Sequence, residues 1–115
     1  MRVFPLNKKY YTTKEIQERV DQYISQFKEG YFSPLSLVAR LAEEVGELAR
    51  EVSHEYGDKR KKSTEEESSL AEEMGDIIFV LACFANSLNI DLTDSFLQSI
   101  EKIETRDKDR WTKKD

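Results

Sequence analysis

Leu41-Ala42-Glu43-Glu44-Val45-Gly46-Glu47-Leu48, with its echo Leu70-Ala71-Glu72-Glu73-Met74-Gly75-Asp76-Ile77, decides how this chain folds. At 100° per residue, Val45, Leu48 and Val52 fall within about 40° of Leu41, while Glu44, Glu47 and Glu51 lie roughly 60° to 120° to one side. The second stretch repeats the arrangement with the same handedness. Leu70, Met74, Ile77, Leu81, Phe84 and Leu88 form its apolar stripe, and Glu73 and Asp76 flank that stripe. Two amphipathic helices with acids held beside a core are therefore expected. If they pack antiparallel on those stripes, both acid pairs emerge on the same side of the core; parallel packing would separate them.

Four carboxylates gathered at one edge of a core repel each other and resist ionising without a compensating charge. A bound cation supplies that charge. Oxygen-only ligands suit a hard ion such as Mg²⁺, which keeps several waters and commonly bridges carboxylates to substrate phosphates.

Glu43-Glu44-Val45-Gly46-Glu47, followed after a spacer by Glu73-Met74-Gly75-Asp76, resembles the Glu-Glu-x-x-Glu and Glu-x-x-Asp signature of the MazG-like nucleotide pyrophosphohydrolases, here the small single-domain bacillus type. The resemblance runs from about Phe27 to Trp111. It implies an all-α, four-helix-bundle-like, oligomeric protein that uses Mg²⁺, with Mn²⁺ as substitute, to cleave nucleoside triphosphates to monophosphate and pyrophosphate. By motif position it implies Glu44, Glu47, Glu73 and Asp76 as metal ligands. Glu43 or Glu47 would take a proton from the attacking water, and the spacing does not choose between them. Lys102, Arg106 and Arg110 recur every four residues, placing three cations on one helical face where they could neutralise a triphosphate. The resemblance likewise gives the segment from Arg106 to Trp111 a part in nucleotide binding.

Around these stretches the chain reads as one domain over residues 1–115, since 115 residues with two Pro and four Gly show no interdomain linker. Residues 1–12 read as an irregular N-terminal arm. Thr12-Thr13-Lys14-Glu15 has capping-box spacing, so a first helix is expected from about 13 to 29, stopped by Gly30. Its Tyr23 and Phe27, with Tyr31, share a face that reads first as core and second as a platform for a nucleobase, and Phe32 is better placed to border a pocket. Ser33-Pro34 starts a second helix running to about Tyr56. Gly57 ends it, and residues 57–64 read as a basic, solvated loop. A further capping box at Thr64 starts a third helix over about 65–88, and a fourth begins near Leu92 or Thr93 to close the bundle. Residues 107–115 form a C-terminal tail. Gly46 and Gly75 occupy matching places in the two acidic stretches, where close helix contact or room for metal and phosphate would offset their cost of about 1 kcal/mol each.

Composition narrows the partners. A net charge of −5 gives no general attraction for a nucleic acid polymer. The longest apolar run, residues 77–85, is far below the roughly 20 needed to span a bilayer, and there is no signal-peptide core. One cysteine, Cys83, forms no internal disulfide and fits a reducing cytoplasm. His54, the single histidine, reads as a helix-end residue. A di-iron bundle would need Glu-x-x-His pairs, and no histidine follows Glu44, Glu47, Glu72 or Glu73 by three. The competing reading is a non-catalytic helical oligomerisation module with solvated acidic faces. Because so small a domain has more apolar stripe than one four-helix core hides, a homodimer or homotetramer is expected.

Overall fold

The structure, a computed structural model, describes residues 10–57 and 69–115. The basic residues Lys59 to Lys62, the Thr64 capping box and residues 1–9 of the arm lie outside that range. The described residues form four helices: α1 (Thr13–Ile24), α2 (Pro34–Tyr56), α3 (Leu70–Ser87) and α4 (Leu92–Arg106). Each begins at the cap its sequence provides. Thr12 accepts from the Glu15 N–H at 3.1 Å while the Glu15 carboxylate accepts from the Thr12 N–H at 2.9 Å, the reciprocal pairing of a capping box. Ser33 caps α2 ahead of Pro34, and Asp91 caps α4 through the Thr93 and Asp94 N–H groups.

Two helices are shorter than expected. Past Ile24 the chain abandons the α pattern for i→i+3 bonds, Gln26 to Tyr23 and Phe27 to Ile24, and Gly30 then takes a left-handed φ of 62°. This turn folds Phe27 edge-on against Tyr23, with ring centroids 5.3 Å apart. The third helix, expected from about residue 65, begins at Leu70, because Ser69 is extended and its hydroxyl accepts from the Glu72 N–H at 3.0 Å. Glu72 and Glu73 therefore occupy the first turn, where the helix dipole favours carboxylates. At its other end α3 finishes in a Schellman motif: Asn89 adopts φ 56°, and the Ile90 and Asn89 N–H groups bond to the carbonyls of Ala85 and Asn86. The chain then turns by 106° into α4.

α2 packs on α3, and α1 packs on both α3 and α4. Leu37, early in α2, shares a core cluster with Ala82 and Cys83, late in α3, together with Val20 of α1. Glu44, further along α2, lies near Glu73 and Asp76 at the start of α3. The two acidic helices thus run antiparallel, the arrangement that brings both acid pairs together. A polar network ties the rest to this pair. Gln17 on α1 donates from Nε2 to Asn86 Oδ1 and to the Ile90 carbonyl, both at 2.9 Å, and its Oε1 accepts from the Leu92 N–H. Asn86 donates back to the Gln17 carbonyl.

The stripe used for packing differs from the expected one. Glu44, Glu51 and Glu73 are buried, in line with Leu37 and Val80, while Val45, Val52, Met74 and Leu81 are substantially exposed. These three acids stand within the α2–α3 contact and not at its edge, whereas Glu47 and Asp76 are exposed. The physical reason is that α2 carries two apolar lines, and the one holding Leu37 faces α3, rotating Val45 and Val52 outward. On α4, Phe96 and Leu97 are likewise exposed, and none of its residues is buried. Among the described residues no single helix is long and apolar enough to cross a membrane.

Candidate active site

The seven-residue spacing of Leu37, Glu44 and Glu51 keeps them on one line of α2 facing α3. Across the contact, Glu73 enters from the first turn of α3. Glu44, Glu47 and Glu73 each bring a carboxylate oxygen within 4.8 Å of the others. Glu44 is 8% exposed and Glu73 6%, and one oxygen of each, Oε2, is buried with no hydrogen-bond partner among the described residues. A buried carboxylate oxygen without a donor is costly. Burial raises the Glu44 pKa above the usual carboxylate value; Glu47, then Asp76, and more weakly Glu73 push it further, while Arg40 pulls it back.

These residues fit a hard divalent cation. The donors are all oxygens, they come from two helices, and among the described residues the one ion pair to this trio is that of Arg40, whose Nε stands 3.7 Å from Glu44 Oε1. Asp76 is near enough to act on Glu44 electrostatically but stands outside the close trio. Glu43, next to Glu44 in the chain, is exposed. The Cβ positions of Gly46 and Gly75 would meet nothing within 4 Å, so neither glycine serves close helix contact.

The basic residues of the C-terminal part are elsewhere. Lys102 and Arg106 are exposed on α4, and both Arg106 and Arg110 pair with Asp107, at 3.1 and 3.6 Å. Arg110 also lies over Trp111, 5.0 Å from the ring centroid. Among the described residues no ion pair joins them to the acids.

Next to the acids lies a cavity of about 300 Å³, walled by Tyr23, Phe27, Tyr31 and Phe32 from α1 and the turn after it, by Leu37 and Arg40 from α2, and by Phe79, Val80 and Cys83 from α3. The aromatic residues that read first as core thus line a pocket, because the early end of α1 releases Phe27 from the helix. Burial raises the Cys83 thiol pKa, and Arg40 offsets this in part. The sequence pattern does not single out Arg40, and it sets Glu51 on the acid-bearing side of α2 without marking it as buried. Their signal was positional: one turn before Glu44 and two turns after it. Glu51 is buried, with a carboxylate oxygen 4.0 Å from His54 Nδ1.

Comparison with known proteins identifies the family. Residues 32–111 match the model of the MazG nucleotide pyrophosphohydrolase domain. YpjD of Bacillus subtilis (strain 168) is 61% identical over 104 residues, covering 90% of this chain and 94% of YpjD, and YvdC of the same organism is 36% identical over 81 residues, covering 65% and 76%. The crystal structure of the Bacillus-conserved MazG protein, a nucleotide pyrophosphohydrolase, superposes with a TM-score of 0.74 at 54% identity, covering 89% of this chain and 99% of that one. The crystal structure of YpjD from Bacillus subtilis gives 0.73 at 57% identity, covering 83% and 97%. With paired acidic helices packed antiparallel on a four-helix scaffold, this chain belongs to the MazG nucleotide pyrophosphohydrolase family and is a hydrolase of phosphoanhydrides.

Proposed function

We propose that the protein is a Mg²⁺-dependent nucleoside triphosphate pyrophosphohydrolase in which water attacks the α-phosphorus and pyrophosphate leaves. The observation that carries this reading is the trio of carboxylate oxygens within 4.8 Å, two of whose residues each bury an unpartnered oxygen. Glu44, Glu47 and Glu73, joined by Asp76, would hold the ion. Magnesium there, or manganese in its place, neutralises phosphate charge and lowers the pKa of an attacking water. Either Glu43 or Glu47, both exposed, would take a proton from that water. The aromatic cavity beside the acids suits the nucleoside, since base stacking on aromatic rings contributes about 1–3 kcal/mol and tolerates different bases. Lys102, Arg106 and Arg110 are proposed to meet the leaving phosphates. As α4 packs chiefly on α1, and among the described residues its cations make no ion pair with the acids, they would reach a substrate bound to a second copy of the chain.

A homo-oligomer, a dimer or tetramer, belongs to the same proposal. The described core contains just Val20, Leu37, Val80, Ala82, Cys83 and Ala85, whereas Val38, Val45, Val52 and Met74, and the groove lined by Ile78, Leu81 and Phe96, leave apolar surface exposed.

The deciding experiment is a panel of nucleoside triphosphates hydrolysed in ¹⁸O-water with Mg²⁺. Label in the monophosphate with unlabelled pyrophosphate supports α-attack. Inorganic phosphate released with a diphosphate overturns it. A magnesium titration that never saturates would favour the non-catalytic interaction module.

A further inference from the structure

Arg40 is the one residue that belongs to both halves of the site. It is the sole cation lining the aromatic cavity, and its Nε stands 3.7 Å from Glu44 Oε1 at the edge of the acid trio. Its side chain is 56% exposed, and none of its N–H groups makes a hydrogen bond among the described residues. A guanidinium carries five N–H donors in a planar fork that matches a phosphate, and at 3.7 Å the Glu44 contact is too long to occupy them. A nucleotide whose base fills the cavity and whose α-phosphate, the reacting one bonded to the sugar, lies at the acids must bring that phosphate alongside Arg40, which touches both.

We infer that Arg40 is a substrate-binding residue, which takes the sugar-linked phosphate of the nucleotide and so joins the base cavity to the acid cluster. The inference rests on the nucleotide hydrolase reading of this site. It assigns Arg40 a double duty: in the free protein it partly offsets the charge of Glu44, and with nucleotide present its unused donors turn to phosphate oxygens. The contact needs no metal, because the cavity and Arg40 together already recognise a nucleoside monophosphate. It also makes the monophosphate product a competitive inhibitor.

Calorimetric titration of the full-length protein in EDTA tests this directly, using the four deoxynucleoside monophosphates and their matching nucleosides as probes. The expected result is that at least one monophosphate binds more tightly than its nucleoside, that Arg40→Gln weakens that monophosphate tenfold or more with nucleoside binding unchanged, and that Arg40→Lys recovers part of the loss. With magnesium and triphosphate, Arg40→Gln should raise KM more than it lowers kcat. Equal monophosphate affinity in wild type and Arg40→Gln overturns the inference. So does a parallel loss of nucleoside binding, which would mark Arg40 as structural, and so does wild-type protein that prefers no monophosphate. The binding measurements need no turnover, so a protein that binds as expected yet hydrolyses no triphosphate would refute the proposed reaction and leave the Arg40 contact standing.

Discussion

Asn86 on α3 donates from Nδ2 to the Tyr31 hydroxyl at 2.9 Å, joining residues 55 positions apart in the chain. The Tyr31 hydroxyl in turn donates to Asp21 Oδ1 at 2.7 Å, so the turn that shapes the cavity is pinned to both α1 and α3. A buried hydrogen bond contributes about 1 kcal/mol net, and stranding its partner costs about 1–3 kcal/mol. Tyr31→Phe should therefore lower stability by about 1 kcal/mol and Asn86→Leu by about 2–3 kcal/mol, because the latter also strands Gln17. Urea unfolding of both single variants and the double should reveal coupling above about 0.5 kcal/mol. Strict additivity would mean that the two residues do not act together.

The same hydroxyl makes an alkaline prediction. Burial first, and then the bond to Asp21, push the Tyr31 pKa well above its ordinary value, with Asn86 partly opposing. The folded chain keeps this proton at a pH where the unfolded chain, with a tyrosine pKa of about 10, has lost it. The unfolded state then binds fewer protons, and stability must fall as pH rises beyond about 10. Tyr31→Phe should lose stability less steeply than wild type between about pH 9 and about pH 11. Parallel decline in the two proteins would argue against it.

Removing charge from the acid trio should stabilise the metal-free protein. Because the Glu44 pKa is raised, the folded state holds a proton that the unfolded state has released, so stability in EDTA should rise as pH falls toward the ordinary carboxylate range. Glu44→Gln should gain on the order of 1 kcal/mol in EDTA at neutral pH and lose turnover by roughly 100-fold. Magnesium at about 100 times its dissociation constant should add about 2.7 kcal/mol to wild type and little to the variant. Thermal melts with and without Mg²⁺ decide it. A variant that melts lower than wild type in EDTA would contradict the charge argument.

Val45 on α2 and Ile78 on α3 are each 49% exposed, Ile78 lining an open apolar groove with residues of α1 and α4. In a solitary chain, replacing either by Glu should change stability by no more than about 0.5 kcal/mol. If a second copy covers these faces, Ile78→Glu should dissociate the assembly and make melting depend on protein concentration. Analytical ultracentrifugation reads the outcome directly, and a monomeric wild type would end the oligomer proposal.

Helix order, the caps at Thr12 and Ser33, and the start of α4 near Leu92 were legible in the sequence, because each depends on local chemistry or on spacing within one helix; the meeting of the two acidic stretches was legible only on condition of antiparallel packing, which the sequence left open. The early end of α1 was not, since Ile24 and Phe27 continue the helical interval and only the i→i+3 bonds reveal the break. The start of α3 at Ser69 was hidden by the capping-box spacing at Thr64. The inward turn of Glu44 and Glu73 was the larger surprise. Periodicity ranks faces by hydrophobicity and so sends acids outward; it has no means of detecting that two helices will bury a less apolar line and leave Val45 and Met74 outside. Arg40 escaped notice for a related reason: its importance lies in the cavity beside it, which the turn after α1 creates.

Leu37, Glu44 and Glu51 occupy one continuous line of α2, the line a helical bundle ordinarily fills with leucine. Selection for heat tolerance and selection for turnover must therefore pull these positions in opposite directions. A library of variants enriched solely for survival at high temperature in the presence of a chelator should lose Glu44 and Glu73 among its first changes, and the most robust survivors would be catalytically dead.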